Sequence, residues 1–172
     1  HVLEKEKINL IMVEVLSHIV EFRNGESGMH VLNIRTITEM LLSQLCASYA
    51  KYRYLQPQIL LIANASALHD IGKISIDVQI LNKPGKLTQE EYDKMKAHSG
   101  IGATMLEETR YYPNEEIVRI ARDICRWHHE RYDGRGYPDG LVGDEIPIEA
   151  QVVSLADVYD ALTHNRIYKE AY

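Results

Sequence analysis

Of the eight histidines in this 172-residue chain, five stand where a helical apolar stripe would carry them inward. His30 lies on the stripe Ile34, Ile37, Leu41, and His128 continues Ile117, Ala121, Ile124. His69 and Asp70 close the apolar run ILLIANASALHD, and His98 stands one turn before Gly102. His129 follows one turn after Cys125, and Asp157 continues Ala150 and Val153. One buried histidine is more often a satisfied core residue than a ligand. The set reads differently, because buried imidazoles and carboxylates without a cation cost several kcal/mol per unpaired charge. A metal centre removes that cost. Imidazole nitrogen and carboxylate oxygen, without thiolate, suit iron, manganese or zinc-like ions. Seven ligands are too many for one tetrahedral ion, so two metals sharing a carboxylate are the natural arrangement.

Helices must position these residues, since no segment keeps a period of two. Residues 5–23 set Ile8, Ile11, Met12, Val15, Leu16, Ile19 and Phe22 at helical spacing, with charge on the other face. This amphipathic helix either packs on its own domain or continues upstream as a signalling helix, and it hints at a homodimer. A second helix is expected over residues 29–54. Pro57 suits a helix start, the next run is apolar nearly all round, and Gly72 can end it in the left-handed conformation. Thr88 and Glu91 form a T-x-x-E capping box for a helix of roughly five turns. Pro113 opens a helix running into His128 and His129, and Pro147 opens a last one through Asp157. The expected fold class is all-α, with residues 1–24 as an N-terminal helix and 25–172 as one catalytic domain.

Bulk properties fit an ordinary globular domain, with 45% hydrophobic and 26% charged residues. A net charge of −6 argues against a general nucleic-acid binder, though not against a local basic pocket for a phosphate ester. No apolar run is long enough to span a membrane, and no signal peptide is visible. Cys46 and Cys125 are far apart and read as small buried residues in a reducing, cytoplasmic compartment. The first residue is His1 rather than Met, which suggests a fragment whose upstream region senses a signal.

The stretch HHERYDGRGYPDG asks why two histidines should precede so firm a break. Gly134, Gly136 and Gly140 allow a sharp, unhindered backbone beside the metal centre, and Pro138 stiffens it. Tyr137 offers a ring and a hydroxyl to a base or phosphate. A plain structural turn with Tyr137 packed on the surface would need fewer glycines.

Together, LHDIGK, the isolated His98, HHERYDGRGYPDG and LADVYDALTHNRIYK resemble the HD-GYP family over about residues 26–170. That resemblance implies an all-α HD domain hydrolysing cyclic di-GMP, with either pGpG or GMP as the final product, through attack of a metal-bridging hydroxide on phosphorus. It implies His30, His69, Asp70, His98, His128, His129 and Asp157 as ligands of two or three divalent ions, Fe or Mn foremost, with Asp70 as the bridge. Glu26 either holds a third metal or is a solvated residue near a helix start. Lys73 lies at the family's centre, where it polarises phosphate or orients the nucleophile. Its ordinary alternative is a cation near a helix C-terminus. Gly136, Tyr137 and Pro138 line the substrate, and Arg166 and Lys169 match the family's phosphate-binding R-P-Y-K positions.

Three departures stand out. Ile167 replaces the usual proline, Asn33 stands where many members place arginine, and the chain stops at Tyr172 before the expected terminal helices. The alternatives are a phosphohydrolase acting on another nucleotide and a cyclic-dinucleotide-binding or scaffold module without turnover.

Overall fold

A computed structural model describes residues 2–24, 29–108 and 115–163, with side chains from residue 11 onward. The described residues form helices α1 (Val2–Asn24), α2 (Met29–Ser48), α3 (Gln56–Ser66), α4 (Val78–Leu81), α5 (Gln89–Glu107), α6 (Glu116–Trp127) and α7 (Ile148–Thr163). Two short 3-10 turns, Ile71–Ser75 and Gly143–Glu145, join them. Among the described residues there is no strand, only a single antiparallel bridge between Asp133 and Val142. The all-α expectation holds.

One apolar core organises these helices. Ile34 and Leu42 of α2, Ile59 and Ile62 of α3, Ile120 and Ile124 of α6, and Val153 of α7 meet in it. α2 packs on α3 and α7, and α6 on α3, α5 and α7. The turn 71–75 is wedged against α5. The expected capping box opens α5, where the Glu91 amide donates to Thr88 Oγ1 at 3.3 Å and the Thr88 amide to Glu91 Oε2 at 2.7 Å.

Three expectations need correction. α2 ends at Ser48 rather than residue 54. Its apolar spacing lapses after Leu45, and Tyr54 instead packs on the core with its hydroxyl donating to Glu149 at 3.1 Å. His69 and Asp70 do not lie on α3, which ends at Ser66. From there the chain tightens into three-residue hydrogen-bonded steps, Leu68 to Ala65 at 3.0 Å, His69 to Ser66 at 3.1 Å and Ile71 to Leu68 at 3.0 Å. Gly72 has no positive φ, so a left-handed helix stop is not its role. A Cβ there would fall 1.9 Å from the His98 carbonyl oxygen and 2.6 Å from the Gly102 nitrogen. Gly72 therefore lets the Asp70 turn sit directly on the α5 backbone that carries His98.

α1 packs on the domain by its polar face. Its inward face is Ser17, Val20, Glu21 and Asn24, all buried. The stripe Ile11, Met12, Val15, Leu16, Ile19, Phe22 is exposed, Phe22 at 87%. Polar anchoring decides the orientation. Ser17 Oγ donates to the Ala67 carbonyl at 2.7 Å, and the Val31 amide donates to Glu21 Oε1 at 2.9 Å. No helix among the described residues is long and apolar enough to cross a membrane.

Candidate metal centre

All seven inward-facing residues converge. His30 comes from α2, His69 and Asp70 from the tightened turn after α3, His98 from α5 and Asp157 from α7, while His128 and His129 stand in the turn just after α6, which ends at Trp127 rather than running into them as expected. They form two groups, Asp70–His98–His128–His129 and His30–His69–Asp157. Within each group the ligand-type atoms lie within 4.8 Å of one another. Asp70 stands between the groups. Its Oδ2 is 3.3 Å from His69 Nε2, while its Oδ1 is 3.3 Å from His98 Nε2 and 3.9 Å from His128 Nε2. One carboxylate thus offers an oxygen to each side.

Backbone carbonyls set the imidazole tautomers. His69 Nδ1 donates to the Ser66 carbonyl at 2.9 Å, and His98 Nδ1 to that of Met95 at 2.7 Å. His128 Nδ1 donates to the carbonyls of Ile124 and Cys125, both at 3.0 Å. A carbonyl only accepts, so in the neutral rings Nδ1 carries the hydrogen and Nε2 keeps its lone pair. Each of these Nε2 atoms, and that of His30, is buried with no hydrogen-bond partner. Four buried, partnerless Nε2 atoms beside two carboxylates suit a cation, which would take the place of the proton that Asp70 otherwise draws onto His69.

Electrostatics point the same way. Burial, then the neighbouring His69, pushes His128 down to about 3. Burial also lowers His98 and His129, so both rings are neutral near pH 7. Burial alone would raise the Asp70 carboxyl. The Lys73 ammonium, 2.6 Å from its Oδ2, and the histidines outweigh burial and hold it well below the usual carboxylate range. For His69 burial pulls downward, but Asp70 prevails and raises it to about 9.

The glycine-rich loop closes over this centre. The Tyr137 ring lies 4.8 Å from the His129 ring, tilted by 31°. Gly134 and Gly140 take left-handed φ values of 75° and 69°. Gly136 is needed for space, since a Cβ would fall 2.4 Å from the Arg131 nitrogen and the Glu130 Cα. Pro138 is exposed beside it. Glu26, Arg166, Lys169 and Pro113, expected to open α6, lie outside the described residues.

Two residues escaped the reading of the sequence. Asp160, one turn after Asp157 and buried, accepts from His30 Nδ1 at 2.7 Å. Its other oxygen takes the Asn33 side-chain amide at 2.8 Å, which gives the unusual Asn33 a role. The D-x-x-D spacing on one helix was the available signal. Glu130 is buried and accepts the backbone amides of Asp139, Gly140 and Leu141 at 2.7, 3.0 and 3.1 Å. The signal there was an acid directly after the His-His pair.

Two expected results follow. Asp160→Asn weakens metal affinity about 10–100-fold in competition titrations, the usual cost of losing a partner that orients a ligand. Glu130→Ala strands three amides and lets the loop drift. Its expected signature is a raised KM with unchanged metal content, measured side by side.

Comparison with known proteins agrees with this architecture. The HD domain family model matches residues 14–172. The chain is 40% identical over 171 residues to a protein of Vibrio cholerae named "Probable cyclic di-GMP phosphodiesterase", covering 97% of this chain and 38% of that protein. It is 40% identical over 157 residues to the "Cyclic di-GMP phosphodiesterase response regulator RpfG" of Xanthomonas campestris, covering 91% and 39%. A third relative, "3'3'-cGAMP-specific phosphodiesterase 2" of Vibrio cholerae, is 37% identical over 161 residues, covering 94% and 29%. The chain thus spans about two fifths or less of the length of these relatives. From the clustered histidines, the HHERYDGRGYPDG loop and the match over residues 14–172, this chain belongs to the HD domain family, in its HD-GYP branch.

Proposed function

We propose that the chain is a metal-dependent phosphodiesterase that hydrolyses cyclic di-GMP. The observation that carries this is the set of four buried, partnerless Nε2 atoms beside Asp70 and Asp157, with Tyr137 of the glycine-rich loop against the adjoining His129 ring. His30, His69 and Asp157 would hold one divalent ion, and His98, His128 and His129 a second, with Asp70 shared between them. Glu26 would serve a third. Iron and manganese suit this donor set. Bound cations would supply Lewis-acid charge for the phosphodiester and depress the pKa of nearby water.

The protein's own groups do the rest. Nδ1–H bonds to fixed carbonyls keep the His69, His98 and His128 imidazoles aimed inward as substrate arrives, and Asp160 does the same for His30. Lys73 keeps Asp70 ionised and brings a second positive charge to the reacting phosphoryl oxygens. Tyr137, backed by the His129 ring, gives a guanine or a phosphate a flat apolar wall and a hydroxyl. Gly136 and Pro138 shape the loop that holds it there. Arg166 and Lys169 bind the second phosphate, Arg166 bidentately and Lys169 as a point charge. Water adds across one P–O bond, the ring opens to linear pGpG, and a second cleavage gives GMP.

Relatives at 40% identity that carry this activity in their names support the substrate, and their greater length supports an upstream sensory domain in the whole protein. The two free cysteines fit a cytoplasmic location. A second cyclic dinucleotide, 3'3'-cGAMP, is favoured by the relative named for it.

The test is turnover of both dinucleotides by protein loaded anaerobically with Fe(II) or Mn(II), with products separated by chromatography. Conversion of cyclic di-GMP to pGpG is expected. A fully loaded protein that binds but converts neither compound would instead be a binding module. Tyr137→Ala and Arg166→Ala should each weaken dinucleotide binding about tenfold or more with metal content unchanged. Metal loss in either variant would contradict this division of roles.

A further inference from the structure

The outward stripe of α1 repeats at alternating steps of four and three. Met12, Val15, Ile19 and Phe22 follow a heptad seam, and Ile8 continues it in the sequence. Ile11 and Leu16 flank the seam and widen it. All six described side chains are 46–87% exposed, on a helix that is anchored to the domain by its opposite face. A shallow groove of about 390 Å³ runs along this ridge, lined by Ile11, Val15, Ile19 and Phe22 with Glu14 and His18 at its margin. Scattered exposed apolar residues need no explanation, but a contiguous, periodic ridge does.

We propose that this ridge pairs with the same ridge of a second copy, so that two α1 helices form a short coiled-coil seam. Two features select a second copy over another partner. A heptad seam is self-complementary, which is what a twofold interface demands of one surface. The area is also sufficient. The six side chains expose on the order of 600 Å² per copy, so their complete burial in a pair would remove at most about 1,200 Å², which reaches the lower bound of stable specific interfaces.

Pairing bears on the metal centre through the other face of the same helix. Ser17 holds the carbonyl two residues before His69, and Glu21 holds the amide directly after His30. Arg23 donates to the carbonyls of Ile74 and Ile76 beyond the Asp70 turn. The seam and the centre are therefore fastened to one rigid element.

Sedimentation equilibrium of the metal-loaded 172-residue chain tests this, alongside Ile19→Glu, Phe22→Lys and the control Met40→Glu. Met40 is 65% exposed on α2 and outside the ridge. Far-UV circular dichroism checks that each variant stays folded. The wild type and Met40→Glu should sediment at twice the 19.8 kDa chain mass, and the two ridge variants at the single-chain mass. A wild type that stays at the single-chain mass through the micromolar range would overturn the proposal. So would folded ridge variants that still sediment as pairs.

Discussion

Asp70→Ala should empty the centre. The expected result is loss of bound metal by elemental analysis, with affinity down more than ~100-fold, since residues that merely orient ligands are already worth about 10–100-fold. Turnover of cyclic di-GMP should fall to that of metal-stripped protein. Asp70 is singled out because each of its oxygens faces a different histidine group, His69 on one side and His98 and His128 on the other. Among the described residues, it is the carboxylate that lies close to histidines of both groups. Asp70→Asn separates charge from shape, since the amide fills the same space but cannot act as a shared anion. It should lose metal nearly as completely while keeping the helical signal of the wild type. Retention of both ions by either variant would remove the carboxylate from the role assigned to it.

The second large effect should come from a residue with no side chain. Gly72→Ala places a methyl group against the His98 carbonyl oxygen and the Gly102 nitrogen, both of them backbone atoms within α5. Neither can rotate away, so the 71–75 turn must lift off the helix. Overpacking of this kind costs roughly 3 kcal/mol, which for a domain of this size lowers Tm by at least about 6 °C. The same displacement carries Asp70 away from His98. Metal affinity should therefore fall together with Tm, in contrast to Glu130→Ala, which should spare metal binding. A Gly72→Ala protein with unchanged Tm and metal content would show that the turn and α5 are not packed as described.

Sequence periodicity and motif chemistry were enough to bring the candidate ligands together because several of them continue apolar stripes. His30, His128 and Asp157 extend rows that must face the core, so their inward direction followed from helical spacing. Gly72 and α1 were read less well, for two different reasons. A glycine after a helix fits a left-handed stop and a backbone contact equally well. Only the neighbour supplied by α5, distant in the chain, decides between them. In α1 the largest apolar stripe was the natural candidate for the buried face, yet hydrogen bonds from Ser17 and Glu21 to distant backbone turned the helix the other way. Asp160 was missed because a second aspartate one turn from the first looks like a solvated charge. Its importance lies in the His30 ring nitrogen it holds.

The most direct test of the account is metal analysis paired with activity on one sample. Protein loaded anaerobically with Fe(II) or Mn(II) should contain about two ions per chain and convert cyclic di-GMP to pGpG. Exhaustive chelation should abolish both, and reloading should restore both. Undiminished turnover by chelated, metal-free protein would contradict the account outright.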